Sequence, residues 1–510
     1  MGIQLTKEQL KPVNSNCKIN VVLSVPGSGK STVLLSRAER LWHETREPIL
    51  MVTFSNDAAN SLFKRIAPEI KTQITIRTIH AFCYDLIKQY WSDLGEIIGG
   101  DNWPSTPTIL SQDQEIALIS ETFTSDNTKQ LFDTFTYLKN LSASPETLLG
   151  LYKKKVYFEK VRQSDLEKYI YYVQERRSRG LINFDDMIEL AESLTPLPYV
   201  ATDLSRRFSH VLIDEAQDTS ESQWKVLRPM ILGASTNLVV GDVNQAVYGW
   251  RGADGSILIN MSRMKEAVTF RLSQSFRSGA NIATLANKLV YDKSSQIVPK
   301  NHLDAVNIFK FNSIEEEVSW VLSNIKPETA IISRTNSYLE RFEKACIDNG
   351  IKYSGKSFYR SNHINELYTY LKDYKGSDVL PLIEKAYVLN SSYTKSQMDD
   401  FKLIYSMISK NGLPYFYSIV EKARELEGGD ITLTTGHASK GLEWTNVVVV
   451  GCHTGHVPHK ASNDDREERN LLYVMTSRAE EDLKITCVGE PSIYFSKDVV
   501  KSCRNPLKEK

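Results

Sequence analysis

A charge excess of either sign, paired cysteines and long apolar runs are what this sequence lacks. Lys plus Arg and Asp plus Glu number 62 each, and the pI is near 7.1. No global cationic field therefore announces a polyanionic partner, and any nucleic acid must be met by a local groove. The six cysteines form no C-x-x-C pair, and a chain of 510 residues needs no disulfide staples, so they read as reduced thiols in a cytosolic compartment. No apolar run approaches the roughly 18 residues of a membrane span, and the start lacks the basic and apolar regions of a secretory signal. The expectation is a cytoplasmic protein (in the host cytoplasm if phage-encoded) with no membrane partner. "MGIQLT" does fit the pattern M-G-x-x-x-[ST], but three of its six places are free, and an ordinary start is the preferred reading. There is no internal repeat and no low-complexity tract.

What is present is an ordinary globular composition, 41% hydrophobic and 24% charged, over a length that divides into about three or four domains. Val21 to Thr32 reads "VVLSVPGSGKST", a phosphate-binding loop G-x-x-x-x-G-K-[ST] with Ser24 in the first place. Before it, "INVVLS" suits a buried parallel strand. After it, apolar residues at 33, 34, 35, 38 and 41 have helical spacing. In that context Gly27 and Gly29 turn backbone N–H groups toward phosphate oxygens, Lys30 reaches the outer phosphates, and the Ser31 hydroxyl can ligate Mg²⁺. Ser24 has only to make the strand exit. The second half of such a site is "VLIDEAQD" at 211–218, where a buried strand delivers Asp214 to Mg²⁺ and Glu215 can polarise the attacking water. Adjacent carboxylates at a strand end repel each other and are hard to justify otherwise. Together the two motifs imply NTP hydrolysis.

From here the chain resembles the UvrD/Rep family of superfamily 1 DNA helicases, with motifs in order over most of its length. The resemblance implies two RecA-like P-loop NTPase domains, each a parallel sheet flanked by helices, which sandwich ATP with Mg²⁺ and move 3′→5′ on single-stranded DNA. "LTKEQ" at 5–9 places Gln9 on the adenine edge, and the phosphate loop adds Ser28 and Thr32 to the nucleotide contacts. "ILMVTFSNDAANSLFKRI" at 49–66 puts Phe54 and Asn56 at DNA-contacting places. "IRTIHAFCYDLI" at 76–87 carries the DNA-facing His80, and "FDDM" at 184–187 is similar to a short acidic motif. In "VVGDVNQAVYGWRGAD" at 239–254 the resemblance makes Gln245 the γ-phosphate sensor and turns Tyr248, Trp250 and Arg251 to DNA. An exposed aromatic offers a base a stacking face worth about 1–3 kcal/mol. The alternative, two core aromatics, sits badly with Gly249 and Arg251. "LSQSFRSGANI" at 272–282 supplies Phe276 to stack on adenine and Arg277 for the γ-phosphate. "TTGHASKGLEW" at 434–444 brings His437 to DNA and Glu443 to the ribose, and "EERNLLYVMTSRAEEDL" at 467–483 ends on a second arginine finger, Arg478.

The motifs divide the chain. Residues 1–90 and 206–265 would form the first RecA-like domain, 91–205 a helical insertion, 266–360 and 425–510 the second RecA-like domain, and 361–424 a reduced second insertion. That second insertion is short for the family, closer to one small helical module. After Arg478 the chain passes almost directly from "DLKIT" through "CVGE" to "PSIYF", where the family commonly has a strand-separating hairpin. Asp57 stands where a Lys is usual beside DNA, and Thr32 where a nucleotide-contacting Arg is common. His453, His456 and His459 beside Cys452 read as a plain surface loop rather than a metal cluster, since no helix aligns them and Pro458 breaks the pattern. The leading expectation is an ATP-dependent DNA helicase or translocase acting on single-stranded and tailed duplex DNA in replication, repair or recombination. An RNA-directed motor uses the same stacking and phosphate contacts. The other alternative is the ATPase subunit of a nuclease or phage-defence complex that needs a partner.

Overall fold

The computed structural model describes residues 4–98, 103–124, 128–140, 145–154, 161–249, 252–293, 295–299, 302–372, 395–462, 464–501, 503 and 505–507. The fold is mixed α/β, with parallel sheets flanked by helices. The chain divides into two compact units, one of Met1–Leu23, Lys30–Gly241 and Tyr248–Phe270, the other of Ser24–Gly29, Asp242–Val247 and Arg271–Lys510.

The first sheet is built from β1 (Ile19–Ser24), β2 (Ile49–Thr53), β3 (Ile74–Thr78), β4 (His210–Ile213), β5 (Thr236–Gly241) and β6 (Ala267–Leu272), in the order β3-β2-β4-β5-β1-β6. Strands β1, β2, β4 and β5 are buried at every residue, as near-continuous apolar runs must be when helices cover both faces of a parallel sheet. Their registers are parallel, with Val21 opposite Val239 and Val52 opposite Ile213. The carboxyl ends of β1, β4 and β5 therefore share one sheet edge, the edge from which α/β folds present ligand loops.

Helix α1 (Lys7–Asn14) begins with a capping box between Thr6 and Gln9. Helix α2 (Lys30–Thr45) starts directly after the phosphate loop and buries Val33, Leu34, Leu35, Ala38 and Leu41, the five positions that the spacing assigns to its core face. It also buries Arg37, whose guanidinium bonds the Pro12 carbonyl and, at 2.7 Å, the Thr236 hydroxyl. Helices α3 (Asn56–Arg65) and α4 (Ile79–Gln89) follow β2 and β3. Beyond α4 the chain is largely helical up to β4. There α5 (Gln163–Ser178) packs Leu166, Tyr169, Tyr172 and Val173 into a separate core with Phe135 and Leu138. Helix α6 (Phe184–Leu194) starts at the Asn183 cap. Burial alone would raise the Asp186 carboxyl of α6, but Arg176 and Arg177 of α5 hold it far below the usual carboxylate range.

The second unit repeats the plan with β7 (Ala305–Phe311), β8 (Thr329–Ser333), β9 (Tyr353–Gly355), β10 (Ile431–Thr435), β11 (Trp444–Val450) and β12 (Ala479–Val488), all paired in parallel in the order β9-β10-β8-β11-β12-β7. Around it lie α7 (Ala280–Leu289), α8 (Ile314–Ser323), α9 (Asn336–Asp348), α10 (Asn362–Lys372), α11 (Lys395–Asn411), α12 (Leu413–Glu425), α13 (Asp465–Thr476) and the short α14 (Lys497–Lys501). One core runs through this unit: Ile331 and Leu433 of the sheet cluster with Phe342 of α9, Leu367 of α10, Phe401 and Ile404 of α11, and Phe416 and Val420 of α12. Strand β12 runs unbroken to Val488 and turns at Gly489, whose φ is 76°. Among the described residues no helix is long and apolar enough to cross a membrane.

Candidate functional site

In the first unit, β4 ends at Ile213 and delivers Asp214, which is buried, and Glu215, which lies in the left-handed region at φ 50°. A non-glycine residue there costs of order 1 kcal/mol or more and persists where the surroundings impose it. The bend turns the Glu215 carboxylate to Lys30 Nζ at 3.7 Å, while the Gln217 amide donates to it at 2.6 Å. The Glu215 backbone N–H donates to Asp214 Oδ1 at 3.0 Å. Burial, and after it the charge of Glu215, pushes the Asp214 carboxyl up to about 7, with Lys30 opposing. Two crowded carboxylates and the half-buried hydroxyl of Ser31, at the start of α2, are hard oxygen donors. The donor set suits Mg²⁺, whose charge would relieve that crowding.

Thr32, which stands where the family often has an arginine, accepts a hydrogen bond from Arg65 Nη2 of α3 at 3.0 Å. The motif reading missed Arg65, because 33 residues separate the partners. Gln9 is buried, and its side-chain oxygen accepts from the Thr6 N–H at 3.0 Å, so that oxygen serves the helix cap.

Of the positions in this unit that the resemblance turns toward DNA, Phe54 and Tyr248 are brought together. Their rings stack with centroids 5.4 Å apart and planes 13° from parallel. Asn56 is exposed as the first residue of α3, and Asp57 follows it in the first turn. His80 of α4 is half-buried; burial lowers its pKa, and the opposing influence is Asp185 of the "FDDM" segment. Trp250 and Arg251 lie outside the described residues.

In the second unit the loop glycines Gly27 and Gly29 have φ of 68° and 80°. A Cβ on Gly27 would lie 2.6 Å from Arg277 Cβ and 2.9 Å from Ser275 Oγ, so the loop backbone packs directly on the "QSFRS" segment. The Phe276 N–H donates to the Gly27 carbonyl at 2.8 Å, and the Phe276 ring is 40% exposed, leaving a free stacking face. Arg277 donates to Glu443 at 2.7 Å and to the Ser477 carbonyl at 3.2 Å. A γ-phosphate contact by Arg277 and a ribose contact by Glu443 would therefore exchange this ion pair for ligand bonds. Arg478 is buried and fixed by four acceptors: the carbonyls of Val474 and Leu442, the Ser477 hydroxyl, and Gln245 Oε1 at 3.3 Å. Gln245 is held in turn by Asp242, through its amide at 2.6 Å, and by Lys440, whose Nζ reaches its carbonyl at 2.6 Å. Gln245 and Arg478 thus form one hydrogen-bonded chain with Asp242. Asp242 and Lys440 are motif members to which the sequence reading gave no role. His437 is half-buried.

The histidine loop is not the plain surface loop that the spacing suggested. His453 and His456 stack at 5.5 Å, and Tyr338 lies 4.5 Å from His456. Burial, then the neighbouring histidines, lowers His456 to about 3. The reason is the aromatic packing on Tyr338, which the sequence places more than a hundred residues away. Among the described residues no group of three or more His, Cys, Asp or Glu is arranged to hold a metal.

A strand–glycine loop–Lys–helix unit with an Asp-Glu pair at the end of another strand of the same parallel sheet, in a chain that also carries a second parallel α/β unit with ordered arginines, defines a P-loop NTPase of the RecA-like type. Comparison with known proteins makes this specific. The model of the UvrD/REP helicase N-terminal domain matches residues 5–266, and that of the UvrD-like helicase C-terminal domain matches residues 393–490. The chain belongs to the UvrD/REP helicase family. It is 26% identical to the ATP-dependent DNA helicase PcrA of Leuconostoc citreum, over 69% of this chain and 50% of that protein. It is 27% identical to DNA helicase II of Haemophilus influenzae, over 72% and 54%. A probable DNA helicase II homolog of Mycoplasma pneumoniae is 23% identical over 98% of this chain and 86% of its own length. The chain thus spans about half the length of the first two relatives it matches.

Proposed function

We propose that this protein is an ATP-dependent DNA helicase or translocase that moves 3′→5′ on single-stranded DNA. The observation that carries the reading is the Lys30–Glu215 pair beside the buried Asp214, with the stacked Phe54 and Tyr248 rings in the same unit. In this reading Gly27, Ser28, Gly29, Lys30, Ser31 and Thr32 hold the phosphates of ATP, while Gln9, Phe276 and Glu443 hold its base and ribose. Ser31 and Asp214 would hold Mg²⁺, which when bound supplies charge neutralisation across the outer phosphates. Glu215 orients and deprotonates the attacking water, with Lys30 beside it as the phosphate anchor. Arg277 and Arg478 neutralise charge on the transferred phosphoryl group while Gln245 senses the γ-phosphate, and the Gln245–Arg478 hydrogen bond keeps those two groups preorganised. Phe54, Asn56, His80, Tyr248, Trp250, Arg251 and His437 contact DNA, by stacking where the side chain is aromatic.

The domain reading that accompanies this is two RecA-like domains, at 1–90 with 206–265 and at 266–360 with 425–510. Helical insertions occupy 91–205 and 361–424. The substrates are single-stranded and tailed duplex DNA. The names and family matches of the relatives support the helicase class, and the stacked Phe54 and Tyr248 rings favour bases over a purely phosphate-based grip.

The test pairs two assays on one preparation, ATP hydrolysis with and without single-stranded DNA and strand displacement on a 3′-tailed duplex, for the wild type and Lys30→Ala. Loss of DNA-stimulated hydrolysis in Lys30→Ala is the expected result, and undiminished hydrolysis would overturn the proposal. Displacement by the wild type identifies a self-sufficient helicase, whereas hydrolysis alone identifies a translocase.

A further inference from the structure

Each of the two arginines assigned to the transferred phosphoryl group stands just before a structural element, and one short segment is bonded to the start of both elements. Arg277 is followed by Ser278 and Gly279, and α7 begins at Ala280. Arg478 is followed directly by β12. The short segment is His302 to Asp304, which leads into β7, and Ala305 of β7 pairs with Asp482 of β12.

Gly279 is the N-cap of α7 and has no side chain to satisfy the N–H groups of the first turn. Asp304 does so from another part of the chain. Its Oδ2 accepts from the Ile282 N–H at 2.7 Å, and its Oδ1 from the Asn281 N–H at 3.0 Å. The Asn281 side-chain amide donates back to Oδ1 at 3.0 Å and to the Asp304 carbonyl at 2.9 Å. The positive end of the helix also favours a negative group there. A Cβ on Gly279 would lie 2.5 Å from Asp304 Cγ, so the glycine is what admits the carboxylate. At the other end of the segment, His302 Nε2 donates to the Glu480 carbonyl at 3.0 Å, at the start of β12. The start of the helix and the start of the strand are therefore bonded to the same three residues.

We propose, resting on the function proposed above, that Asp304 and His302 are positioning residues that hold the backbones carrying Arg277 and Arg478 in one frame, so that both guanidinium groups serve the same phosphoryl group. The Arg277 head is held by Glu443 and by the Ser477 carbonyl. A γ-phosphate contact exchanges the Glu443 bond for a ligand bond, and from then on the aim of Arg277 depends on where α7 holds its backbone. Phe276 is placed separately, by its N–H to the Gly27 carbonyl at 2.8 Å. Loss of the brace therefore falls on the phosphoryl step more than on binding of the base. A catalytic group misplaced by about 1 Å costs on the order of 10²-fold in rate, so a small shift at the start of α7 is enough to be read in kcat.

The test measures ATP hydrolysis by the full chain at saturating single-stranded DNA, with kcat expressed per site that binds fluorescent ADP, beside thermal melts. Asp304→Ala should lower kcat about tenfold and change the KM for ATP by less than about twofold. His302→Ala should act in the same direction, and His302→Gln, which keeps an N–H donor, should recover most of the rate. The decisive variant moves the carboxylate. Asp304→Gly with Gly279→Asp caps α7 from its own N-cap, in the space that the removed side chain vacates. Its melting temperature should return toward that of the wild type while kcat stays low, because the cap is restored and the tie to the 302–304 segment is not. Recovery of kcat in this double variant would overturn the proposal and leave Asp304 a helix cap alone; so would a wild-type kcat in either single alanine variant. If Asp304→Ala does not fold, the two His302 variants and the double variant decide the matter. Arg277→Ala separates this inference from the reading beneath it. Wild-type hydrolysis in Arg277→Ala would overturn the role of Arg277 and the brace with it, whereas an inactive Arg277→Ala beside fully active Asp304→Ala and His302→Ala would overturn the brace alone.

Discussion

Asp214 is the residue at which local chemistry and stability pull hardest against each other. Its folded pKa of about 7 lies above the ordinary 3.8, so between those values the folded chain holds a proton that the unfolded chain has lost. The stability contributed by this group is therefore full at low pH, falls as pH rises through that window, and stays low above it. Asp214→Asn removes the charge, so it should raise the Tm by a few degrees at pH 8 in EDTA, with a smaller gain at pH 5, while abolishing ATP hydrolysis. Thermal melts at the two pH values check the sign; a variant that melts lower at pH 8 would show that the carboxylate is better satisfied than its surroundings indicate. Arg65 makes the complementary case. It was illegible in the sequence because its partner Thr32 lies in another motif and only folding brings the two to 3.0 Å. If that guanidinium serves the place where Thr32 replaces an arginine, Arg65→Ala should raise the KM for ATP about fivefold and leave kcat nearly unchanged, a loss of about 1 kcal/mol of binding. An unaltered KM in steady-state hydrolysis would restrict Arg65 to packing.

At the scale of elements, the legible parts are those whose signal is local. The apolar run of β1, the glycines at 27 and 29 and the helical spacing from Val33 to Leu41 all lie within one short stretch, and each element formed where its pattern placed it. What a helix faces is a long-range property, and there the sequence is silent. The short length of the second insertion suggested one small helical module, but α11 and α12 bury Phe401, Ile404, Phe416 and Val420 in the same core as Ile331, Phe342 and Leu433 of the second unit. An apolar face identifies a helix as covered without naming the cover. This shared core predicts cooperative loss. Phe416→Ala removes a fully buried ring and should cost about 3–5 kcal/mol. It should lower the melting transition of the whole unit rather than release a separate early one. Hydrogen exchange read on β8 and β10 checks this, since protection there should fall together with that of α12.

For the whole molecule, the balance of 62 basic and 62 acidic residues means that the attraction to DNA in the proposed function must be generated locally. The positions assigned to DNA are mostly aromatic or neutral: Phe54, Asn56, His80, Tyr248, Trp250 and His437, with Arg251 the one permanent cation and Asp57 adding a negative charge in the first turn of α3. Burial lowers the pKa of His80, so it adds no charge near pH 7. A single-stranded site that neutralises Z phosphates shows a slope of log K against log salt near −0.7Z, so a site with two to four such contacts should give about −1 to −3. In the proposed function affinity would then come largely from stacking, with the Phe54–Tyr248 pair as the candidate platform, because a base entering between or beside these rings would exchange one aromatic contact for another. Tyr248→Ala should weaken binding of a labelled single-stranded oligonucleotide about tenfold, within the 1–3 kcal/mol of a base–aromatic stack, and leave the salt slope unchanged. Fluorescence anisotropy over a salt series separates the two terms. A steep slope, or one that shifts with Tyr248→Ala, would mean that phosphate contacts beyond the motif residues carry the binding and that the neutral surface conceals a cationic groove.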